Sequence, residues 1–173
     1  MDFWAELMNF LNQHSADPLT YCLVFFLYAV LATIALPIPV EIGLIINPNT
    51  DFIIKALVLG AGKAVGSVLV FLIGTNIEWR IRNWSSKWGW FRWFVDKSEI
   101  LVEKLGYIGL YLLLSIPGMV DTVPVYVFSV FNRQGEVLQL RYFVVANFAG
   151  GITRALVLYA LFYGFGINLF GQF

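Results

Sequence analysis

Four long apolar segments constrain the fold of this chain more than any other feature. They cover residues 19–46, 52–74, 107–131 and 142–163. A helix needs about 20 apolar residues to cross a bilayer core of about 30 Å, so the second and fourth segments can each cross once. Only 13% of residues are charged and 60% are hydrophobic, whereas a soluble domain has about 25% charged residues. We therefore expect an all-α integral membrane protein with a single membrane domain, residues 1–173.

Prolines interrupt the first and third apolar segments near their middles. The first holds Pro37 and Pro39, and the third holds Pro117, Gly118 and Pro124. Each proline removes a backbone donor and disfavours helix at the residue before it, and the pieces on either side are too short to span alone. Each broken segment is either one kinked helix or a re-entrant hairpin that returns to its own face, and the hairpin is the favoured interpretation.

The two halves of the chain have the same order of a broken apolar segment, a polar turn and a glycine-bearing helix. The break motifs align at three positions: Pro37, Val40 and Glu41 against Pro117, Val120 and Asp121. A different shift, of 90 residues instead of 80, aligns two glycine pairs: Gly60 with Gly150, and Gly74 with Gly164. Inverted repeats with broken helices recur in secondary transporters. We therefore predict two inverted repeats, residues 17–75 and 105–164, each a re-entrant hairpin followed by a transmembrane helix.

Amphipathic segments are predicted outside these repeats. Residues 1–16 are too short to span and are expected to form an interfacial helix, and residues 165–173 form a short tail. Residues 76–104 are rich in tryptophan and basic residues, which favour the headgroup level and the cytoplasmic face. No Lys or Arg precedes Phe52. We expect a multi-pass protein of the cell membrane with the connector 77–104 in the cytoplasm, and no nucleic-acid partner.

Four charged residues lie inside the apolar segments: Glu41, Lys63, Asp121 and Arg154. A charge at the bilayer centre costs about 2.5–3.5 kcal/mol on insertion scales unless it is paired or hydrated. Two acids and two bases suggest pairs, Glu41 with Arg154 and Asp121 with Lys63. In one interpretation these pairs only hold the hairpins to the helices.

In the functional interpretation, Glu41 and Asp121 accept and release protons. Lys63 and Arg154, together with Asn147, then bind an anionic group such as a phosphate when the acids are protonated. Burial in general raises the pKa of a carboxyl group and a nearby cation lowers it. The hypothesis therefore couples proton exchange to headgroup binding.

The sequence does not indicate an enzyme. It contains no cysteine–histidine pair, no spacing typical of metal ligands, no nucleophile elbow and no phosphate-cradling loop. We expect no catalytic residue, no cofactor and no bound metal.

Three motifs resemble those of the DedA family, part of the wider VTT or "SNARE-associated" group of membrane proteins. They are Pro37-x-Pro39-x-Glu41; Gly60-Ala61 with Gly66 and Phe71-x-x-Gly74; and Ile116-Pro117-Gly118 with Thr122-x-Pro124. The resemblance covers residues 20–164. It implies paired re-entrant hairpins, movement of lipids such as polyprenyl phosphates between leaflets, and dependence on the proton-motive force. It also implies that Glu41 is the intramembrane acid of the family.

One departure from the family pattern affects the expected site. Typical members carry arginines on both sides of the second proline motif, where this chain has Leu114 and Val120. Lys63 and Arg154 are then the cations that remain to contact a phosphate.

The predicted function is a membrane transporter or scramblase that moves an anionic phospholipid or polyprenyl phosphate between leaflets, coupled to protons. Two alternatives remain open, a small-molecule or multidrug exporter with the same fold and a membrane scaffold that transports nothing. The expected partners are membrane lipids with anionic headgroups and protons. Glycine-faced helices are also compatible with a homodimer.

Overall fold

The computed structural model describes residues 17–35, 40–47, 50–85, 89–132 and 138–165. Within these residues every regular element is a helix, which confirms the all-α prediction for the described part of the chain. The helices, in chain order, are α1 (Pro18–Ile34), α2 (Ile42–Ile45), α3 (Phe52–Ser85), α4 (Gly89–Ser115), α5 (Thr122–Val130) and α6 (Leu140–Gly164). The predicted helix of residues 1–16 and the tail beyond residue 165 lie outside the described residues.

Helix α1 begins at Pro18 with a capped first turn. The Asp17 carboxylate accepts hydrogen bonds from the Thr20 amide at 2.9 Å and from the Thr20 hydroxyl at 2.7 Å, and Pro18 is the first helical residue. Proline suits this position because the first amides of a helix have no carbonyl partner within it. These bonds hold the pKa of Asp17 below its ordinary value, and the bond from the Thr20 hydroxyl has the larger effect.

The first break in the helical chain lies between α1 and α2. Helix α1 ends at Ile34 and α2 begins at Ile42, which is consistent with an interruption at the Pro-x-Pro motif. Pro37 and Pro39 themselves lie outside the described residues.

The second break, residues 116–121, lies between α4 and α5, where the sequence predicted it. Helix α4 ends at Ser115, immediately before the Ile116-Pro117-Gly118 motif, and Gly118 has a positive φ of 75°. Pro124 lies in the first turn of α5, where a missing amide hydrogen breaks no bond within the helix. Gly106, with φ 51° and ψ −142°, interrupts α4 at the start of the apolar segment.

Two helices contain stretches long and apolar enough to cross a membrane, Phe52–Ile77 and Leu140–Phe162. The expectation that the first spanning helix ends at Gly74 is wrong, because α3 continues to Ser85. Residues 75–85 contain no proline or glycine that would stop it. The described residues of the predicted connector, 76–104, therefore fall at the end of α3, through Ser85, and in the first part of α4, from Gly89.

Many large apolar side chains of the described residues are exposed, and several charged side chains are buried. Helix α1 shows one leucine per turn on its outer face, at Leu19, Leu23, Leu27 and Leu31, each more than half exposed. The side chains of Lys63 and Arg154 are fully buried, and Asp121 is 3% exposed. In soluble proteins charged residues are mostly exposed, and they are fully buried almost only when they are paired.

Glycines allow the helices around α3 to pack closely. A Cβ on Gly62 would lie 2.6 Å from Ala29 Cβ, and one on Gly66 would lie 2.8 Å from Thr33 Cβ, so both glycines face α1. A Cβ on Gly60 would lie 3.0 Å from the Phe148 carbonyl oxygen on α6. Small residues at a helix contact let the two backbones approach closely, and α3 contacts both α1 and α6 through these glycines.

The glycines aligned between the two halves do not have equivalent neighbours. Gly60 contacts α6, whereas Gly150 contacts Leu114 on α4. Gly74 contacts Ser129 on α5, whereas a Cβ on Gly164 would meet nothing within 4 Å. The aligned glycines therefore pack in different ways.

Candidate functional site

The four charged residues singled out from the sequence meet in one place, which we call the charge cluster: Glu41, Lys63, Asp121 and Arg154. Lys63 Nζ lies 2.9 Å from Asp121 Oδ1, and Arg154 Nη1 lies 3.4 Å from Glu41 Oε1. Both expected pairs are therefore present. A third contact was not expected: Arg154 Nη2 lies 2.9 Å from the same Asp121 oxygen. Asp121 is thus shared by two cations, whereas Glu41 has one cation at a longer distance.

The two acids have the same position relative to the breaks. Glu41 is the residue before α2, with φ −61° and ψ −28°, and Asp121 is the residue before α5, with φ −64° and ψ −36°. An acid at this position commonly accepts a hydrogen bond from its own helix. Here neither side chain does so, and both carboxylates reach into the charge cluster instead.

The two cations also bind the end of α4. Arg154 Nε donates to the Leu114 carbonyl at 2.9 Å, Arg154 Nη1 donates to the Met119 carbonyl at 3.0 Å, and Lys63 Nζ donates to Leu114 at 3.4 Å. The last carbonyls of a helix lack partners within it and carry partial negative charge, so cations are favoured there. Leu114 occupies a place where the DedA motif has an arginine, and it takes part through its carbonyl oxygen.

Two hydrogen bonds join the two halves of the chain around the cluster. Glu41 Oε1 accepts from the Gly118 amide at 2.7 Å. The Thr122 hydroxyl donates to the Ala32 carbonyl, in the last turn of α1, at 3.0 Å. The polar backbone that each break exposes is therefore partly satisfied by the other half, as non-helical backbone inside a membrane protein requires.

Three buried polar atoms of the cluster have no hydrogen-bond partner among the described residues: Glu41 Oε2, Asp121 Oδ2 and Arg154 Nη2. Arg154 Nη2 is close enough to Asp121 for an ion pair, but the contact does not have hydrogen-bond geometry. The two carboxylates and two cations balance in charge, but these unsatisfied atoms add to the desolvation cost of burying them. A buried unsatisfied polar group costs about 1–3 kcal/mol, which is a reason to look for a role beyond stability.

Replacing Gly118 with alanine tests the geometry of the second break. Gly118 has φ 75°, a conformation that costs an ordinary residue about 1–2 kcal/mol. We expect Gly118→Ala to lower the free energy of unfolding in mixed micelles by about that amount, and to weaken the Glu41 contact. Gly164→Ala is the control, because a Cβ there meets nothing within 4 Å and φ is not positive. An equal effect of the two changes would contradict this account of Gly118.

The structure does not show Asn147 in contact with the charge cluster. Asn147 is fully buried on α6, its amide nitrogen donates to the Phe143 carbonyl at 2.9 Å, and its Oδ1 has no partner among the described residues. Seven residues separate it from Arg154 along the helix, which is about two turns and places both on similar faces. Its predicted part in headgroup binding stays a prediction.

A fifth buried charge, Lys55, was not identified from the sequence. Lys55 is 1% exposed, and its Nζ donates to the Leu44 carbonyl at 2.8 Å and to the Asn47 carbonyl at 3.0 Å. It therefore fastens the end of α2, and with it the segment that carries Glu41, to α3. The sequence held a signal for Lys55, because this charge lies within the apolar segment 52–74. It was not singled out because it lies only four positions after Asp51, in the polar turn.

Removing the Lys55 ammonium will loosen the first hairpin segment. Hydrogen bonds that involve a charged group contribute about 1.5–3 kcal/mol, so we expect Lys55→Met to lower the free energy of unfolding by about that amount. Lys104→Met, which alters an exposed lysine of α4, should change it little. If the two variants unfold alike, the Lys55 contacts do not stabilise the segment.

The fold and the site together define a class: an all-helical protein, over its described residues, with two helices long and apolar enough to span a membrane and a buried cluster of four charges between them. Comparisons with protein-family models, with curated proteins and with solved structures found no match. The resemblance to the DedA family therefore rests on the motifs of the chain itself. The described residues contain no group of three or more His, Cys, Asp or Glu that could hold a metal ion.

Proposed function

We propose that this protein is a membrane transporter or scramblase that carries an anionic lipid between leaflets, coupled to protons, and that it is a divergent relative of the DedA family. One observation carries the proposal: the charges from both breaks and both long helices converge in one buried cluster with unsatisfied polar atoms. Charged residues inside a membrane most often mark substrate, ion or proton pathways.

The distribution of exposed side chains supports placement in a bilayer. The leucine stripe of α1 and the exposed apolar residues of α3 and α6 offer apolar side chains to lipid, and a large exposed apolar area would be a liability in water. We propose that α3 and α6 span the membrane of the cell and that the Lys/Arg-rich residues 77–104 face the cytoplasm.

We also propose that each half forms a re-entrant hairpin and that the halves are inverted repeats. In support, each half has the order of a helix, a break, a shorter helix and a long helix. The acid that precedes the shorter helix has nearly the same backbone conformation in both halves. The hydrogen bonds between the breaks fit two hairpin tips that meet inside the membrane.

Proton coupling follows from the balance of charge in the cluster. With both acids ionised, Lys63 and Arg154 are neutralised by Asp121 and Glu41. Protonation of either acid leaves one positive charge in excess, which an anionic headgroup can neutralise. The Arg154 guanidinium suits a phosphate because its planar fork donates two parallel hydrogen bonds. Release of the proton then restores the internal pairs and expels the anion.

A lipid-exchange measurement tests the function. The purified protein is placed in liposomes that hold fluorescent phosphatidylglycerol or a fluorescent polyprenyl phosphate, and an impermeant quencher reports the lipid that reaches the outer leaflet. We expect the protein to increase exchange of at least one of these anionic lipids above the rate in empty liposomes. Folded protein that exchanges neither lipid would contradict the proposal, and would favour a small-solute exporter or a scaffold whose ion pairs are structural.

A further inference from the structure

A lateral groove runs between α4 and α6, and we call it the tyrosine groove. Its volume is about 470 Å³, within the range of about 300–1,000 Å³ that small-molecule sites occupy. Its lining is apolar and aromatic: Tyr107, Ile108, Tyr111, Tyr142, Val145, Ala146 and Ala149. Small alanines on α6 face large tyrosines, so the groove is a depression in the surface and not only a smooth lipid-facing wall.

One end of the tyrosine groove carries an exposed cation. The Arg141 guanidinium lies 4.8 Å from the centre of the Tyr142 ring, and its Nε donates to Gln139 Oε1 at 3.2 Å. Tyr142 in turn packs edge-on against Tyr107, with 5.4 Å between the ring centres. No carboxylate among the described residues pairs with Arg141, and its two terminal nitrogens make no hydrogen bond to them. They are therefore available to an anion from outside.

The other end of the groove approaches the charge cluster. The Tyr111 hydroxyl and the Thr153 hydroxyl lie 2.9 Å apart, which joins the two walls of the groove there. Thr153 precedes Arg154 in the chain, and Arg154 bonds to Leu114, one turn beyond Tyr111 on α4. The last groove residue on α6 is Ala149, five positions before Arg154, and the last on α4 is Tyr111, three positions before Leu114. Along the two helices this end of the groove is therefore about one to one and a half turns from Arg154 and its carbonyl partner.

We propose that the tyrosine groove binds one anionic lipid, with its apolar chain in the groove and its headgroup on Arg141, and that this is the position from which the lipid reaches the charge cluster. The proposal rests on the proposed function and names the entry site of its substrate. The guanidinium of Arg141 is oriented by Gln139 and Tyr142, so it loses less rotational freedom when it binds a phosphate. The apolar groove alone would accept any lipid, and the cation selects the anionic ones.

Photolabelling in liposomes tests this site directly. Phosphatidylglycerol and phosphatidylcholine that carry the same diazirine-bearing chain are added separately to liposomes with the full-length protein, and the label on residues 107–111 and 142–149 is measured by mass spectrometry. One basic residue near a membrane surface favours an anionic lipid by about fivefold, so we expect about that ratio between the two lipids. Arg141→Gln should bring the ratio close to one, and Val145→Trp should remove most of the label by filling the groove.

Two matched variants show whether these effects belong to the groove. Lys104→Gln removes an exposed cation of α4 that does not line the groove, and Val65→Trp adds the same bulk to an exposed valine of α3. Neither should change the labelling of the groove. Equal labelling by both lipids, or a ratio that Lys104→Gln lowers as much as Arg141→Gln, would overturn the proposal.

Lipid exchange measured in the same liposomes separates this inference from the proposed function. Charge-selective labelling without exchange would support the binding site and contradict the transport of that lipid. Exchange without charge-selective labelling would overturn the groove as the entry site and leave the proposed function in place.

Discussion

Asp121→Asn will lower the free energy of unfolding by about 3–5 kcal/mol, the usual cost of breaking a buried ion pair from one side. Asp121 is the one acid of the cluster within 3 Å of two cations, at 2.9 Å from both Lys63 and Arg154. Asparagine leaves these two fully buried cations with only Glu41, which lies 3.4 Å from Arg154. The measurement is reversible unfolding in mixed micelles, with Asp96→Asn, an exposed acid of α4, as the matched control.

A compensating change tests whether uncompensated charge is the cause. Lys63→Met combined with Asp121→Asn removes one cation together with the acid, and the remaining Glu41 and Arg154 balance. Residues in one buried network couple by about 0.5–3 kcal/mol, so we expect the double variant to be more stable than the sum of the two single changes predicts. Strict additivity would mean that the Lys63–Asp121 contact contributes no coupling energy.

Adding side chains between α1 and α3 will separate these helices. A Cβ at Gly62 would lie 2.8 Å from the Phe26 carbonyl oxygen, and one at Gly66 would lie 2.9 Å from the Val30 carbonyl oxygen. Because the obstacle is backbone, a side-chain rotation cannot relieve it. Overpacking costs about 1–3 kcal/mol per site, and we expect Gly62→Val with Gly66→Val to cost more than about 3 kcal/mol.

The separation of the helices should also be visible at the cluster. Movement of α1 would displace Ala32 from the Thr122 hydroxyl, which lies 3.0 Å away, so lipid exchange should fall together with stability. Gly164→Val is the control, since that position is open. If the double valine variant unfolds like the control, α1 and α3 are not held in close contact through these glycines.

The local features of this fold could be predicted because each has a local cause. Pro117 and Pro124 act through their own missing amide and restricted φ, so the second break was located correctly. The helix boundary at Gly74 was wrong because hydropathy falls before the helix ends. Trp79, Arg80 and their neighbours favour the membrane interface over the bilayer core. None of them is a residue type that stops a helix, and α3 continues through them.

The sequence predicted which charged residues pair, but it did not predict the geometry of their contacts. A count of two acids and two bases in apolar segments predicts pairing, and the pairs Glu41–Arg154 and Lys63–Asp121 are present. The contacts of Arg154 with Leu114 and Met119, and of Glu41 with the Gly118 amide, involve backbone atoms. Such contacts depend on how the two halves meet, which no residue type reveals.

The most direct test of the proposed mechanism is the pH dependence of anionic-lipid exchange in liposomes, with Glu41→Gln beside the wild type. Glutamine keeps an oxygen that accepts from the Gly118 amide, 2.7 Å from Glu41 Oε1, but it cannot take up a proton. We predict that wild-type exchange accelerates as the pH falls and that the variant, with its folding confirmed, exchanges at a rate that depends less steeply on pH, because only Asp121 of the two acids can still take up a proton. Wild-type-like pH dependence in Glu41→Gln, and equally in Asp121→Asn, would contradict the coupling of lipid movement to these acids.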